Sequence, residues 1–356
     1  MNSFARNAAS AAQTISSQAS RDSQPSQGSQ PSQASQPSQG SQPSQASQPS
    51  QGSQPSQLSQ GSQASQTVAA PGPQATPAQA MQVSSTSPAV RPRPLLLLGL
   101  DGTRWSIAAE PGVGTNLQRL AREGSWHQMT MEVPTISAPG WGSILTGTTH
   151  AEHGLRDNSC VGGRTWNCPD FLSQAFYEDQ RTTTFAAAGW PVLVDPSGLG
   201  PIIHPRMEQQ YAGLHNVIVR DGETYGYQRI DAEIADIAAA KLRSPEAFDV
   251  GFVYFCDVDD AGHVYGLQGE EYRAAIRRVD AHVGHLIEVI SARDEDWLVV
   301  LTTDHGHRDE GGHGGDSPRE RESWVVAWAP SGNIPDWPEI IEPWELAGLM
   351  LAARRA

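Results

Sequence analysis

The segment from Leu298 to Gly315, with the sequence LVVLTTDHGHRDEGGHGG, constrains the fold of this chain more than any other. It opens with a run of leucine, valine and threonine, which predicts a buried strand. Asp304 and His305 follow that run, and the glycines beyond them allow the backbone to turn back and bring His313 to the same place. Carboxylate oxygen and imidazole nitrogen are ligands that Zn²⁺ prefers when no thiolate is offered. The segment therefore predicts a metal site, with a polar loop carrying incidental histidines as the alternative.

The composition of the chain changes sharply near residue 91. Residues 14–66 consist almost entirely of Ser, Gln, Pro, Gly and Ala, in alternating SQPSQG and SQPSQA units, and residues 67–90 continue in a similar style. A segment so poor in apolar side chains cannot bury enough surface to offset the entropy of ordering. Residues 1–90 are therefore predicted to be a disordered tail, and residues 91–356 are predicted to form one large folded domain.

Charge and hydropathy argue against two kinds of partner. The formal net charge is −15, and nearly all acidic residues lie after residue 90, without any basic run, which argues against binding a nucleic-acid duplex. No stretch is apolar enough to predict a transmembrane segment, and residues 1–21 lack the apolar centre of a secretory signal. Cys160 and Cys168 flank a glycine-rich loop, and a disulfide between them would suggest an extracytoplasmic site. The localisation is left open.

Strands and helices alternate along the folded part. Apolar runs predict strands at residues 94–100, 126–133, 248–256, 298–303 and 324–328. Helical spacing and capping signals predict helices at residues 116–122, 137–146, 170–178, 228–243, 270–291 and 344–353. This alternation predicts an α/β layered domain with a largely parallel central sheet flanked by helices. Residues 156–245 are the least regular part, and we interpret them as an insertion that carries substrate specificity.

Carboxylates follow three of the predicted strands. Asp101, Asp259 and Asp304 each come after an apolar run, and His263 and His305 accompany two of them. Because parallel strands place their carboxyl ends at one edge of the sheet, these side chains are expected to converge. Ser137 stands at the start of a predicted helix, where it could be part of an anion site or simply the helix N-cap.

Four motifs occur in an order that resembles one known superfamily. They are GLDGTRW at 99–105, PTISAPGWGSILTGTTHAEHGL at 134–155, DVDDAGHVYG at 257–266, and TTDHGH followed by GGHGG at 302–315. Together they resemble the alkaline phosphatase superfamily, in particular its type I phosphodiesterase and nucleotide pyrophosphatase branch. The resemblance implies an alkaline-phosphatase-like fold for residues 91–356.

The resemblance also implies two divalent metal ions, with Zn²⁺ expected and Mn²⁺ as the alternative. It assigns the first ion to Asp101, Asp304, His305 and the hydroxyl of Ser137, and the second to Asp259, His263 and His313. Ser137 thereby becomes the expected nucleophile. Asp257 and Asp260 compete with Asp259 as ligands, and the spacing of Asp259 to His263 favours Asp259.

One position departs from the nucleotide pyrophosphatases, which carry Asn three residues after the nucleophile, where this chain has Gly140. Backbone N–H groups at the start of that helix could replace the substrate contact of the missing side chain. Gly140 is therefore a candidate substrate-binding residue. His307 is a second candidate, with a structural role as the alternative.

The function implied by the resemblance is two-metal hydrolysis of phosphodiester or pyrophosphate bonds through a phosphoserine-type intermediate. The expected substrate is a small phosphate ester or a nucleotide-like molecule. Alternatives on the same scaffold are a phosphomonoesterase, a phosphonate hydrolase and a non-catalytic binding module. A formylglycine sulfatase is disfavoured because Trp141 stands where the sulfatase motif requires Arg.

Overall fold

Residues 91–356 form an eight-stranded sheet between two layers of helices, as described by a computed structural model. The strands are β1 (Leu95–Leu100), β2 (Ser125–Thr130), β3 (Thr184–Ala188), β4 (His215–Val219), β5 (Val250–Phe255), β6 (Leu298–Thr302), β7 (Glu322–Trp328) and β8 (Ile340–Ile341). Their order in the sheet is β4-β3-β5-β1-β6-β7-β2-β8. Only β7 runs against its neighbours, so the prediction of a largely parallel sheet is confirmed. The predicted disordered tail, residues 1–90, lies outside the described residues.

The helices cover both faces of this sheet. They are α1 (Trp105–Ala108), α2 (Thr115–Glu123), α3 (Ser137–Thr146), α4 (His150–His153), α5 (Phe171–Glu178), α6 (Pro191–Val194), α7 (Met207–Tyr211), α8 (Gly222–Tyr225), α9 (Tyr227–Arg243), α10 (Asp257–Tyr265), α11 (Glu270–Ser291) and α12 (Leu346–Arg355). Two short 3₁₀ helices lie at Thr165–Asn167 and Pro343–Glu345. Within residues 91–356, no helix combines the length and apolarity needed to cross a membrane.

The leucine run of β1 is explained by burial on both faces. Leu96, Leu98 and Leu100 pack into one core with α2, α9 and α11, whereas Leu95 and Leu97 pack into the opposite core with α3, α5 and α12. A strand that is covered on both sides is apolar throughout and does not alternate. Full burial of one leucine side chain contributes about 1.5–3 kcal/mol relative to exposure. This burial fixes the central strands and therefore the positions of the residues that follow them.

The largest difference from the sequence-based prediction lies in residues 156–245. This segment supplies β3 and β4 to the sheet, with β3 parallel to β5, whereas the sequence analysis predicted helices only. β3 has the sequence TFAAA and β4 has HNVIV, and neither is long or periodic enough to stand out locally. The segment is therefore in part integral to the sheet, and only its loops remain candidates for substrate specificity.

The possible disulfide between Cys160 and Cys168 is not formed in the structure, which has both as free thiols. Cys160 lies in a tight turn with φ 57° and lines a surface groove. Cys168 is buried behind the 3₁₀ helix Thr165–Asn167. The turn and the 3₁₀ helix place the two side chains in different surroundings.

Candidate metal centre

The candidate ligands lie at the carboxyl edge of three neighbouring parallel strands. In the register of β5, β1 and β6, Gly99 is level with both Tyr254 and Thr302. Asp101 lies two residues beyond Gly99, and Asp304 lies two residues beyond Thr302, so the two carboxylates follow the ends of β1 and β6 at nearly the same level of the sheet. Asp259 comes from α10, which begins at Asp257 just beyond β5. Such an edge of a parallel sheet is where ligand sites are usually built.

The first cluster consists of Asp101, Asp304, His305 and Ser137, all of them buried. His305 Nε2 lies 3.3 Å from Asp101 Oδ1, 3.4 Å from Asp304 Oδ2 and 3.2 Å from Ser137 Oγ. Four ligands placed tetrahedrally at about 2.0 Å from one zinc ion are about 3.3 Å apart. The spacing within the first cluster therefore fits a single ion.

The carboxylates of the first cluster lack the partners that buried charge requires. Asp101 Oδ2 accepts hydrogen bonds from Trp141 Nε1 at 2.8 Å and from the Tyr254 hydroxyl at 2.5 Å. Asp101 Oδ1 and both oxygens of Asp304 are buried and accept none. Burial, followed by repulsion from neighbouring carboxylates, raises the pKa of Asp101 to about 7 and raises that of Asp304 well above its ordinary value. A divalent cation would supply the missing partner and relieve this repulsion.

The second cluster consists of Asp259, His263 and His313. Asp259 and His263 stand four residues apart on α10, so the helix places them on one face. His263 Nε2 lies 3.5 Å from Asp259 Oδ2, His313 Nε2 lies 3.6 Å from Asp259 Oδ1, and the two histidine nitrogens are 2.9 Å apart. The side chain of His263 is 48% exposed, whereas that of His305 is fully buried. The second cluster therefore faces solvent, and the first does not.

Backbone carbonyls orient two of the imidazoles. His305 Nδ1 lies 3.1 Å from the Gly306 carbonyl oxygen, and His313 Nδ1 lies 2.7 Å from that of Thr135. Each Nδ1–H can donate to its carbonyl, which leaves the Nε2 lone pair free for a metal. Burial lowers the pKa of both imidazoles, so both rings are held in the neutral form that binds metals. The return of His313 to the site uses Gly311, Gly312 and Gly314, which have φ values of 98°, 75° and 115°.

The hydroxyl of Ser137 does not cap its helix. Ser137 is the first residue of α3, and Ile136 occupies the N-cap position without any side-chain capping bond. The hydroxyl is instead 3.2 Å from His305 Nε2. Of the two interpretations open from the sequence, the structure therefore disagrees with the N-cap.

Gly140 is not placed as expected. Its N–H donates to the Ile136 carbonyl oxygen at 2.9 Å within α3, so it is not available to a substrate. A Cβ at this position would lie 2.8 Å from the Asp304 carbonyl oxygen. Glycine is therefore needed here for the close packing of α3 against the end of β6. The substrate-binding role of Gly140 stays a prediction, to which its own N–H gives no support.

Asn158 lies beside the nucleophile candidate and was missed by the sequence analysis. Its side-chain Oδ1 accepts a hydrogen bond at 3.0 Å from the N–H of Ala138, the residue after Ser137. Asn158 belongs to an exposed turn, 21 positions after Ser137 in the chain. A lone Asn in a polar turn carries no local signal, so only the path of the loop reveals its place.

The comparisons with known proteins agree with the fold and the motifs. The chain is 29% identical over 220 residues to human ectonucleotide pyrophosphatase/phosphodiesterase family member 7, an alignment that covers 60% of this chain and 47% of that protein. This chain thus spans about half the length of the curated relatives it matches. Among solved structures, human ectonucleotide pyrophosphatase/phosphodiesterase 5 has a TM-score of 0.55 at 15% identity, covering 74% of this chain and 95% of that one.

Phosphonoacetate hydrolase from Sinorhizobium meliloti 1021 has a TM-score of 0.51 at 14% identity, covering 74% of this chain and 96% of that one. At such identities, these structural similarities show the fold alone. The family model described as type I phosphodiesterase / nucleotide pyrophosphatase matches residues 95–325, which is more than half of the chain. The resemblance predicted from the motifs is confirmed, and the chain belongs to the type I phosphodiesterase / nucleotide pyrophosphatase family.

Proposed function

We propose that this protein hydrolyses phosphodiester or pyrophosphate bonds of small molecules, with Ser137 as the nucleophile. The observation that carries the proposal is the contact of Ser137 Oγ with His305 Nε2 at 3.2 Å, inside a cluster with two buried carboxylates. A serine that served only the helix would bond to a backbone N–H instead. Membership of the family supports hydrolysis of phosphoric esters.

The two clusters would each hold one divalent ion, for which Zn²⁺ fits best and Mn²⁺ is the alternative. Their donors are only carboxylate oxygen, imidazole nitrogen and one hydroxyl, and in the first cluster three buried carboxylate oxygens lack any other partner. When bound, the two ions would lower the pKa of the Ser137 hydroxyl and offset the negative charge of the phosphoryl group.

Ser137 forms a temporary covalent bond to the phosphorus of the substrate. Its Oγ attacks phosphorus as the bond to the leaving oxygen breaks, and the serine proton passes, directly or through water, to that oxygen. Water next cleaves the bond between Ser137 Oγ and phosphorus in the resulting seryl phosphodiester, which releases a phosphate monoester and restores the hydroxyl. The position of Ser137 at the first turn of α3 also favours the negative phosphoryl group, because the positive end of the helix dipole lies there.

Asn158 provides the side-chain contact that Gly140 cannot make. Its Oδ1 is held by the Ala138 N–H, which leaves both amide hydrogens free to donate. In this position the amide can donate to a phosphoryl oxygen as charge develops on it. One such donor is worth about two to three powers of ten in rate at comparable sites.

The test is a substrate panel combined with trapping of the covalent intermediate. Purified protein loaded with zinc or manganese is assayed on an aryl phosphodiester, a dinucleoside pyrophosphate, an aryl phosphomonoester and phosphonoacetate. We expect the diester or the pyrophosphate to be turned over fastest, and acid quenching with labelled substrate to leave phosphate on Ser137. A preference for the monoester or for phosphonoacetate would support the corresponding alternative.

Ser137→Ala is expected to lose about four powers of ten in turnover, equivalent to roughly 5–6 kcal/mol of barrier, while still binding metal. Ser143→Ala is the matched control, since Ser143 is a buried serine of the same helix whose hydroxyl bonds to His153 Nε2 at 3.1 Å. Near-normal turnover in Ser137→Ala, together with an unlabelled wild-type protein, would mean that water attacks phosphorus directly.

A further inference from the structure

We infer that His307 is a positioning residue that holds Asp259 and thereby sets the metal affinity of the second cluster. The inference rests on the proposed function, because it concerns an ion bound by Asp259, His263 and His313. Of the two roles that the sequence left open for His307, the full burial of its side chain favours the structural one over substrate binding.

The contact that carries the inference joins His307 Nε2 to Asp259 Oδ1 at 2.8 Å. This is the length of a hydrogen bond to a carboxylate. The His307 Nε2–H therefore donates to Asp259 Oδ1.

The geometry disfavours a separate ion between His307, Asp259 and His305, although their ligand atoms are close together. His305 has one free nitrogen lone pair, on Nε2, because its Nδ1 faces the Gly306 carbonyl oxygen. That nitrogen is 3.2–3.4 Å from three oxygens of the first cluster but 3.9 Å from Asp259 Oδ1. Since one lone pair serves one ion, His305 belongs to the first cluster, and Asp259 is the partner left for His307.

The protein is built to keep the His307 ring in one orientation. A Cβ on Gly102 would lie 2.7 Å from His307 Nε2, and a Cβ on Gly262 would lie 2.8 Å from its Cε1, so the ring occupies a slot that only two glycines leave open. The backbone on both sides is also held. The Gly306 N–H donates to the Glu320 carbonyl oxygen at 2.9 Å, and the Arg308 N–H donates to that of Gly312 at 3.0 Å.

The consequence for the second cluster is a fixed carboxylate. With Oδ1 held by His307, Asp259 keeps Oδ2 3.5 Å from His263 Nε2 and Oδ1 3.6 Å from His313 Nε2. Without that hydrogen bond the carboxylate could rotate about its Cβ–Cγ bond, and a bound ion would have to order it. Loss of a partner of this kind commonly weakens metal binding by about 10–100-fold.

The first experiment measures zinc affinity of the full chain by competition with a chromogenic chelator. His307→Met replaces the ring with an apolar side chain, and His307→Gln keeps an N–H donor of similar reach. We expect His307→Met to weaken one of two zinc equivalents about 10–100-fold and to leave the other unchanged, with His307→Gln closer to wild type. His285→Met, which removes a half-buried histidine of α11 whose Nε2 lies 3.1 Å from the Arg243 guanidinium, is the control and should match wild type.

Unchanged affinity of both equivalents in His307→Met would overturn the inference alone. Loss of the same equivalent to the same extent in both variants would also overturn it, because His307 would then act as a direct ligand. A wild-type protein that binds no zinc would instead overturn the proposed function, so the two failures are distinguishable.

The second experiment uses the wild-type protein and does not depend on how the variants fold. Spectra of ¹⁵N-histidine-labelled protein are recorded before and after zinc is added. We expect His307 Nε2 to keep its proton throughout, while the Nε2 atoms of His263 and His313 coordinate zinc. Loss of the His307 Nε2 proton on zinc addition would overturn the inference.

Discussion

Asp101→Asn should stabilise the metal-free protein and destabilise the metal-loaded one. In the metal-free fold, burial and then repulsion from Asp259 raise the pKa of Asp101 to about 7, from an ordinary value of 3.8. The folded state holds the Asp101 proton more tightly than the unfolded state does. The contribution of Asp101 to the free energy of unfolding therefore falls as the pH rises from its unfolded pKa toward its folded pKa. Above about pH 7 the loss of folding stability caused by the buried Asp101 carboxylate is complete. A pKa raised by about three units corresponds to a loss of about 4 kcal/mol.

Asparagine removes this cost without removing the hydrogen bonds. Its carbonyl oxygen can still accept from Trp141 Nε1 and the Tyr254 hydroxyl, and its amide can donate toward Asp304. We therefore expect metal-free Asp101→Asn to be more stable than metal-free wild type by up to about 4 kcal/mol near pH 8, with the difference shrinking toward pH 4. With zinc in about 100,000-fold excess over its Kd, wild type gains about 7 kcal/mol from binding, which exceeds the advantage of the variant, and the order should reverse.

The assay is denaturant unfolding at several pH values, with a chelator and with excess zinc. Asp336→Asn removes an exposed carboxylate and serves as the control, with no expected dependence on metal. A metal-free Asp101→Asn protein that is less stable than wild type at every pH would refute the reasoning. It would mean that Asp101 is not held as an uncompensated charge in the metal-free fold.

Three further predictions test the surroundings of the centre. Asn158→Ala should lower kcat/KM by about two powers of ten with little change in melting temperature, because the residue is exposed and its amide is expected to contact the phosphoryl group; an unchanged kcat/KM would contradict this. A chelator should remove the ion of the second cluster before that of the first, since His263 is half exposed and the first cluster is buried, and simultaneous release of both ions in a stopped-flow trace would argue otherwise. Asp231→Ala should leave the buried N–H groups of Cys256 and Asp257 without a partner, which should destabilise the fold by about 1–3 kcal/mol for each group. Because these two residues start α10, zinc binding should weaken as well, and denaturant unfolding and metal titration would show whether both effects occur.

The features that the sequence determined by itself are those carried by short stretches of chain. Apolar runs followed by carboxylates were sufficient to locate β1, β5 and β6 and to single out Asp101 and Asp304, because strand burial and the residue that ends a strand are local properties. The helical period likewise predicted α11 at its observed bounds of Glu270–Ser291. The ordered motifs added the family, which the comparison then confirmed.

The features that only the tertiary structure decided depend on groups far apart in the chain. β3 is a strand because β5 and β4 flank it, and its Ala-rich sequence carries no such signal. The sequence left Ser137 open between helix cap and anion site, and the packing of α3 against the end of β6 placed its hydroxyl next to His305. His307 contacts Asp259, because two glycines distant in sequence leave space for its ring. Hydrogen-bond partners of this kind are set by how the whole chain packs, so the pattern of any single segment cannot predict them.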